Sequence, residues 1–427
     1  MNTNEQGSSN AFLALLYNRL YLGISVCNHY LDVASGVDAT RTAEVRFIRA
    51  LQFYLAMDAF GNIGLPLTVS TEKPVQHTRK EVYEWLEKEL LEVETLLAEP
   101  KAKKSTDAGY GRADKAAAWM LLTRLYLNAE VYTGTAQWAK AAEYAQKVIN
   151  SDYKLFTAGT ANYSAYQMLF MGDNGESGAS VEAVLPLLQQ GDRTAAYANT
   201  TFLIASTYNT DMPDNGISGT WAGNRARKDL VKKFFTGTPP TGNTATILAA
   251  ANDDRALFYA VDRSLEIPTA NDITDFKKGY SVVKFTGIKS DGSAVTNTGF
   301  ADTDFFFFRV AESYLAYAEA TARLNGGNAT AQGIAYLNQL RQRAHAAART
   351  SFSLNDILDE RSREFYFEAQ RRTDLIRYGY YGGNNSYNWT WKGGAANGRS
   401  FDSYRNLFPL PSSDLSVNKN LKQNPGY

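Results

Sequence analysis

Residues 305–347 read FFFFRVAESYLAYAEATARLNGGNATAQGIAYLNQLRQRAHAA, and residues 351–379 read SFSLNDILDERSREFYFEAQRRTDLIRYG. Their apolar spacing predicts three successive helices. In the first, Ala311, Leu315, Ala318 and Ala322 form a narrow stripe of mostly small residues suited to close helix approach. Asn325, Gly326 and Gly327 end it, because glycine takes the left-handed cap conformation at little cost. Ile334, Leu337, Leu340 and Ala344 mark a second helix, antiparallel to the first across a short turn. A third starts after Ser353, whose hydroxyl is placed to accept the backbone N–H of Asp356 in a capping box.

Along this third helix Leu354, Leu358, Arg361, Phe365, Glu368 and Arg372 follow at spacings of three and four, so charges share the stripe that should face the core. A lone buried charge is very costly, and these must therefore be paired. Two readings compete for Arg361, Glu364, Glu368, Arg371, Arg372 and Asp374: an internal ion-pair lattice that locks helices together, or an acid/base site. Arginines bracket every carboxylate and should lower its pKa, which favours the lattice. If the stretch were an acid/base site, Glu364 and Glu368 would be the first suspects.

Upstream, residues 11–33, 42–60, 78–97, 111–132 and 137–156 also carry helical periodicity. In the first, Leu13, Leu16, Leu20, Ile24 and Cys27 share a side; in the second, Ala43, Phe47, Ala50 and Tyr54 do, with Arg46 and Arg49 close by. The pair formed by the fourth and fifth, with aromatic and Ala contact positions, has the form of a tetratricopeptide-like unit. Residues 100–111 read as a lysine-rich linker. Helical pairs at both ends of the chain predict an all-α-dominated, tetratricopeptide-like helical-repeat scaffold interrupted by a long irregular insertion with a few short strands. The divisions are residues 1–150, an N-terminal helical part; 151–304, an irregular ligand-facing insertion; and 305–427, the C-terminal helices and a tail packed back on the body, all within one domain. Trp389 and Trp391 in that tail alternate with polar residues like an extended edge.

The insertion is rich in Gly, Asn, Thr and Tyr, and long irregular segments on rigid scaffolds are where binding usually resides. Tyr208, Asp211, Trp221, Asn224 and Arg225 lie in or beside its glycine-bearing loops, ahead of a helix near Ala226. Trp221, between Gly219 and Gly223, is either a stacking platform or a plug between insertion and helices.

The chain has 427 residues with 44 basic and 44 acidic side chains, and this balance argues against a nucleic-acid surface. The single cysteine, Cys27, excludes an internal disulfide framework. Phosphate-binding glycine loops, HExxH, CxxC and GxSxG motifs are all absent. No catalytic residue, metal ligand or cofactor is assigned; Asp253–Asp254 and Asp302/Asp304 offer hard oxygens for calcium without an EF-hand loop.

Several blocks resemble the SusD/RagB family of Bacteroidetes surface lipoproteins: AEVRFIRALQFYLAMDAFGNIGLPL, WAKAAEYAQKVINSDYKL, RVAESYLAYAEA, LNQLRQRA, ERSREFYFEAQRRTDLIRYG and the terminal LFPLPSSDL with LKQNPGY. They cover nearly the whole chain in family order. The resemblance implies non-catalytic binding of oligosaccharide at the cell surface and its delivery to a SusC-like TonB-dependent outer-membrane transporter. It also implies that residues 361–374 are a structural hallmark. Stacking on sugar rings would fall to Trp221 and Tyr208, and hydroxyl recognition to Asn224, Arg225 and Asp211. A peptide-binding RagB-like role, or a scaffold binding only protein, are the alternatives. The signal peptide and lipidated cysteine that the family leads one to expect are not in this sequence, so membrane attachment would be through a lipid anchor outside this chain. Residue 372 is Arg where many relatives have Trp.

Overall fold

The computed structural model describes residues 4, 6–270, 272 and 274–427. The chain falls into two compact units, one of residues 1–100, 113–147 and 372–427, the other of residues 101–112 and 148–371. The boundary near residue 371 cuts the charged stretch in two.

In the first unit, helix Ala11–Ala34 packs on Ala39–Phe60, which packs in turn on Arg79–Val93. Asn10 and Asp38 cap the first two, and Thr78 with Glu81 forms a capping box on the third, so their first amides are satisfied. Ala43, Phe47, Ala50 and Tyr54 are buried as the periodicity predicts. Leu16 is not: it is 40% exposed, and Tyr17 takes the inward position beside Leu13 and Leu20. Arg46 and Arg49 both pair with Glu89. Gly61 ends the second helix at φ +75°, a left-handed conformation that favours glycine. The tail does pack back: Phe408 N–H donates to Ala59 O and Asn424 Nδ2 to Phe60 O, each at 2.8 Å. Trp391 is no strand residue; it is buried at φ +69° ahead of a 3₁₀ turn.

The second unit holds the helices Ala311–Leu324, Ala331–Arg343 and Leu354–Phe365, the third with the predicted Ser353–Asp356 capping box. Ahead of them Phe305–Arg309 is a strand, antiparallel to Ala183–Leu187. Four consecutive phenylalanines show no polar alternation, so no strand period marks the segment. A three-stranded antiparallel sheet runs in the order Arg225–Ala226, Tyr280–Val282, Phe258–Tyr259. The insertion also contains helices Asn199–Ala205 and Thr244–Ala251, too short for periodicity to announce. Residues 101–112 are no free linker: Ser105 N–H donates to Gly175 O at 3.0 Å, and Tyr110 Oη to Asp304 Oδ2 at 2.7 Å.

The predicted third helix is shorter than its stripe. It ends at Phe365, and Phe367 and Ala369 take φ values of +62° and +60° before a new helix, Arg371–Arg377, begins. Left-handed backbone at residues other than glycine is strained and persists where surrounding contacts impose it. Those contacts are ionic.

Candidate functional site

Arg309, at the end of its strand, is buried among three carboxylates and the Phe365 ring. Its Nη1 donates to Glu182 Oε1 at 3.0 Å and to Glu364 Oε1 at 2.6 Å, and its Nε to Glu368 Oε2 at 2.8 Å. Arg343 bridges Glu182, at 3.0 Å, and Glu364. Arg255 approaches Glu364 at 3.3 Å and grips Asp253 through both terminal oxygens. Lys284 Nζ donates to Glu368 at 2.6 Å and to the carbonyls of Glu364 and Tyr366, tying down the turn that carries the strained residues. Burial pushes the Glu364 carboxyl up, but Arg343, Arg309 and Arg255 outweigh it and hold it well below the usual carboxylate range. Such a group neither donates a proton near neutral pH nor reaches a substrate.

The remaining charges of the predicted lattice lie elsewhere. Arg361 donates to Gln370 at 3.0 Å and Arg371 to Leu358 O at 2.9 Å. In the first unit Arg372 donates to Asn406 O and lies 4.2 Å from the centre of the Phe408 ring, while Asp374 pairs with Arg377 at 2.7 Å. Arg255, Lys284, Arg309, Arg343 and Glu182, none of them picked out from the sequence, complete the hub around Glu364 and Glu368.

A second arrangement presents aromatic rings to solvent. Helix Asn199–Ala205 ends where the 221–224 loop folds over it: Trp221 N–H donates to Ala205 O at 2.7 Å, and the amides of Gly223 and Asn224 both reach Ser206 O. The loop thus satisfies carbonyls that the helix end leaves unpaired. Asn224 Nδ2 adds a bond to Ser206 Oγ at 3.0 Å. Gly219 allows the close approach, since a Cβ on it would come within 2.9 Å of Ala205 Cβ. Trp221 is held 43% exposed, with Tyr197 at 70% and Phe202 at 44%. The Trp221 ring centre lies 5.8 Å from that of Tyr197 and 6.1 Å from that of Phe202, and Tyr197 meets Phe300 at 5.1 Å. Beside this ridge Ser218 N–H donates to Thr298 O, and both residues line a cleft of about 520 Å³ with Asp214, Ile217, Lys289 and Ser293.

The other residues marked in the sequence are not presented in this way. Tyr208 is only 5% exposed and offers no ring face to a ligand. Asp211 is engaged by Arg263 at 2.9 Å. Arg225 is paired in the sheet with Ser281, its guanidinium over the Phe276 ring; the helix beyond it starts at Lys228. Tyr197, Phe202 and Phe300 went unmarked; the only signal was aromatic residues in a polar, Asn- and Thr-rich stretch.

The carboxylates considered for calcium are bound by protein donors. Asp253 holds Arg255, Asp254 meets His345 at 2.6 Å, Asp302 accepts Gly191 N–H and Thr296 N–H, and Asp304 accepts Gln189 N–H and Tyr110 Oη. Among the described residues no group of three or more His, Cys, Asp or Glu side chains is arranged to hold a metal ion.

This architecture is found in known proteins. It matches a SusD-like protein of Bacteroides fragilis with a TM-score of 0.75 at 19% identity, over 100% of this chain and 88% of that one. A SusD superfamily protein of Parabacteroides distasonis matches with a TM-score of 0.70 at 23% identity, over 99% and 87%. Residues 263–427 match the model of the SusD family, and residues 1–127 a family described as starch-binding associating with outer membrane. SusD-like protein P2 of Formosa agariphila is 24% identical over 100% of this chain and 83% of its own length. The starch-binding protein SusD of Bacteroides thetaiotaomicron is 39% identical over 96% of this chain and 78% of its own length, and with that degree of identity across both proteins the chain belongs to the SusD family.

Proposed function

We propose that this protein binds oligosaccharide without cleaving it, at the bacterial outer membrane, and passes it to a SusC-like TonB-dependent transporter. The exposed ridge of Tyr197, Phe202 and Trp221 carries the reading. Aromatic faces of this kind pack against the apolar C–H face of a sugar ring, while hydroxyls at the rim of a neighbouring cleft exchange hydrogen bonds with it. The relative named as a starch-binding protein and the family description that joins starch binding to the outer membrane support a glucan as ligand and the membrane as location. Membership of the SusD family and the outer-membrane association in the family description support delivery to a transporter in that membrane. Titration against a panel of neutral polysaccharides, with Trp221→Ala alongside, tests the binding; co-purification with an outer-membrane barrel tests the partner. Capture of peptides with no glycan bound would select the peptide-binding alternative.

A further inference from the structure

A second cleft of about 520 Å³ in the same unit shares no lining residue with the cleft beside the aromatic ridge. Its walls come from the Lys232–Phe234 turn, the Ala251–Asp253 segment, and the helices ending at Arg343 and Phe365. Four cations, Lys232, Lys233, Arg341 and Arg363, line it. Arg341 and Arg363 each place one amine, Nη1, on the same oxygen of Glu360, at 2.9 and 2.8 Å. Their Nε groups donate to Ala347 O and Lys233 O. Glu360 therefore answers two guanidiniums of the cleft and, at 2.7 Å, Arg255 behind them. Burial pushes its carboxyl up, but Arg255, Arg363 and Arg341 hold it below its ordinary value, so it stays charged and is already shared.

Among the described residues, Nη2 of Arg341 and of Arg363 has no protein acceptor, and Lys232 has no carboxylate within ion-pair reach. Lys233 is neutralised by Asp359 and Arg255 by Asp253, and Asp229 also lines the cleft. With Lys232, Lys233, Arg255, Arg341 and Arg363 set against Asp229, Asp253, Asp359 and Glu360, the cleft keeps one unmatched positive charge. The hub behind it is balanced, Lys284, Arg309 and Arg343 facing Glu182, Glu364 and Glu368. Two arginines lining one cleft, each with an Nη2 beyond its bond to Glu360, suit a planar carboxylate. Phe235 in the wall offers an apolar surface for the rest of a ligand, and the volume fits one or two sugar rings.

We infer that this cleft is a second ligand site, taking a carboxylate-bearing sugar residue of the hexuronate class, separate from the aromatic ridge. Titration of the full chain with D-galacturonate and with D-galactose tests it, in wild type, Lys232→Glu and Trp221→Ala. Lys232 lies outside the ion-pair hub, so its reversal leaves the fold standing. The expected result is binding of galacturonate but not galactose, weakened roughly two- to fivefold by Lys232→Glu and further by added salt, and unchanged by Trp221→Ala. Equal behaviour of the two sugars, or indifference to Lys232→Glu, overturns the site. Loss of galacturonate binding in Trp221→Ala assigns that sugar to the ridge and also overturns it, and acetate competing as well as galacturonate overturns the sugar assignment. Glucan binding at the ridge stands or falls separately, on Trp221→Ala with neutral glucans.

Discussion

Arg309 holds Glu368 by both oxygens, Nε to Oε2 at 2.8 Å and Nη2 to Oε1 at 2.9 Å, across 59 residues of sequence. The pair fixes the end of a strand to a turn whose backbone is left-handed at Phe367 and Ala369. Such a turn has no intrinsic preference for its shape, so the ion pair supplies it. Removing one partner leaves the other charged and enclosed.

Glu368→Ala should accordingly destabilise the fold by about 3–5 kcal/mol, read as a lowered midpoint of denaturant unfolding. Saccharide affinity of the protein still folded should be unchanged, because the hub shares no residue with the aromatic ridge. Lost affinity at unchanged stability would place Glu368 in ligand binding instead.

Acid should attack the hub. The folded-state pKa of Glu364 is depressed below its ordinary 4.5, so its contribution is complete above that value and is lost as pH falls through the depressed one. A pH series of unfolding free energies should show wild type losing stability below about pH 4.5. Glu364→Gln, less stable at neutral pH, should show a shallower loss; identical slopes would refute the assignment.

Asp304 titrates in the opposite sense. Burial raises its carboxyl from 3.8 to about 6, so the folded state holds a proton that the unfolded state has released. Its contribution is therefore most favourable below pH 4 and declines as pH rises through 6, by ~2–3 kcal/mol in all. Asp304→Asn should remove this decline, and the stability difference between wild type and variant should shift in the variant's favour between pH 4 and 7. A difference independent of pH would contradict it.

Gly219→Ala tests how the ridge is held. The added Cβ meets Ala205 at 2.9 Å, so the loop carrying Trp221 must lift from its helix. Glucan affinity should fall several-fold with little loss of thermal stability, whereas unchanged affinity would mean that the loop position does not matter to binding.

The helices were legible because their signals are local. The Ser353 box sits three residues from its partner, and apolar spacing marked the buried faces of Ala43 to Tyr54. The end of the third helix was not legible: Glu368 and Arg372 continue the spacing of three and four, and no glycine announces the break at Phe367. The hub could be anticipated only in kind, since Arg343 and Glu182 are 161 residues apart and nothing in either neighbourhood names the other. Trp221 stood out through its glycines. Tyr197 and Phe202 did not, because the chain brings them to Trp221 only by folding a seven-residue helix that follows Tyr197 and carries Phe202.

Calorimetric titration of wild type and Trp221→Ala with a neutral maltooligosaccharide tests the binding account most directly. The account predicts saturable binding by wild type, a loss of tenfold or more in the variant, and unaltered unfolding of that variant. Wild-type affinity retained by a folded Trp221→Ala protein would contradict it.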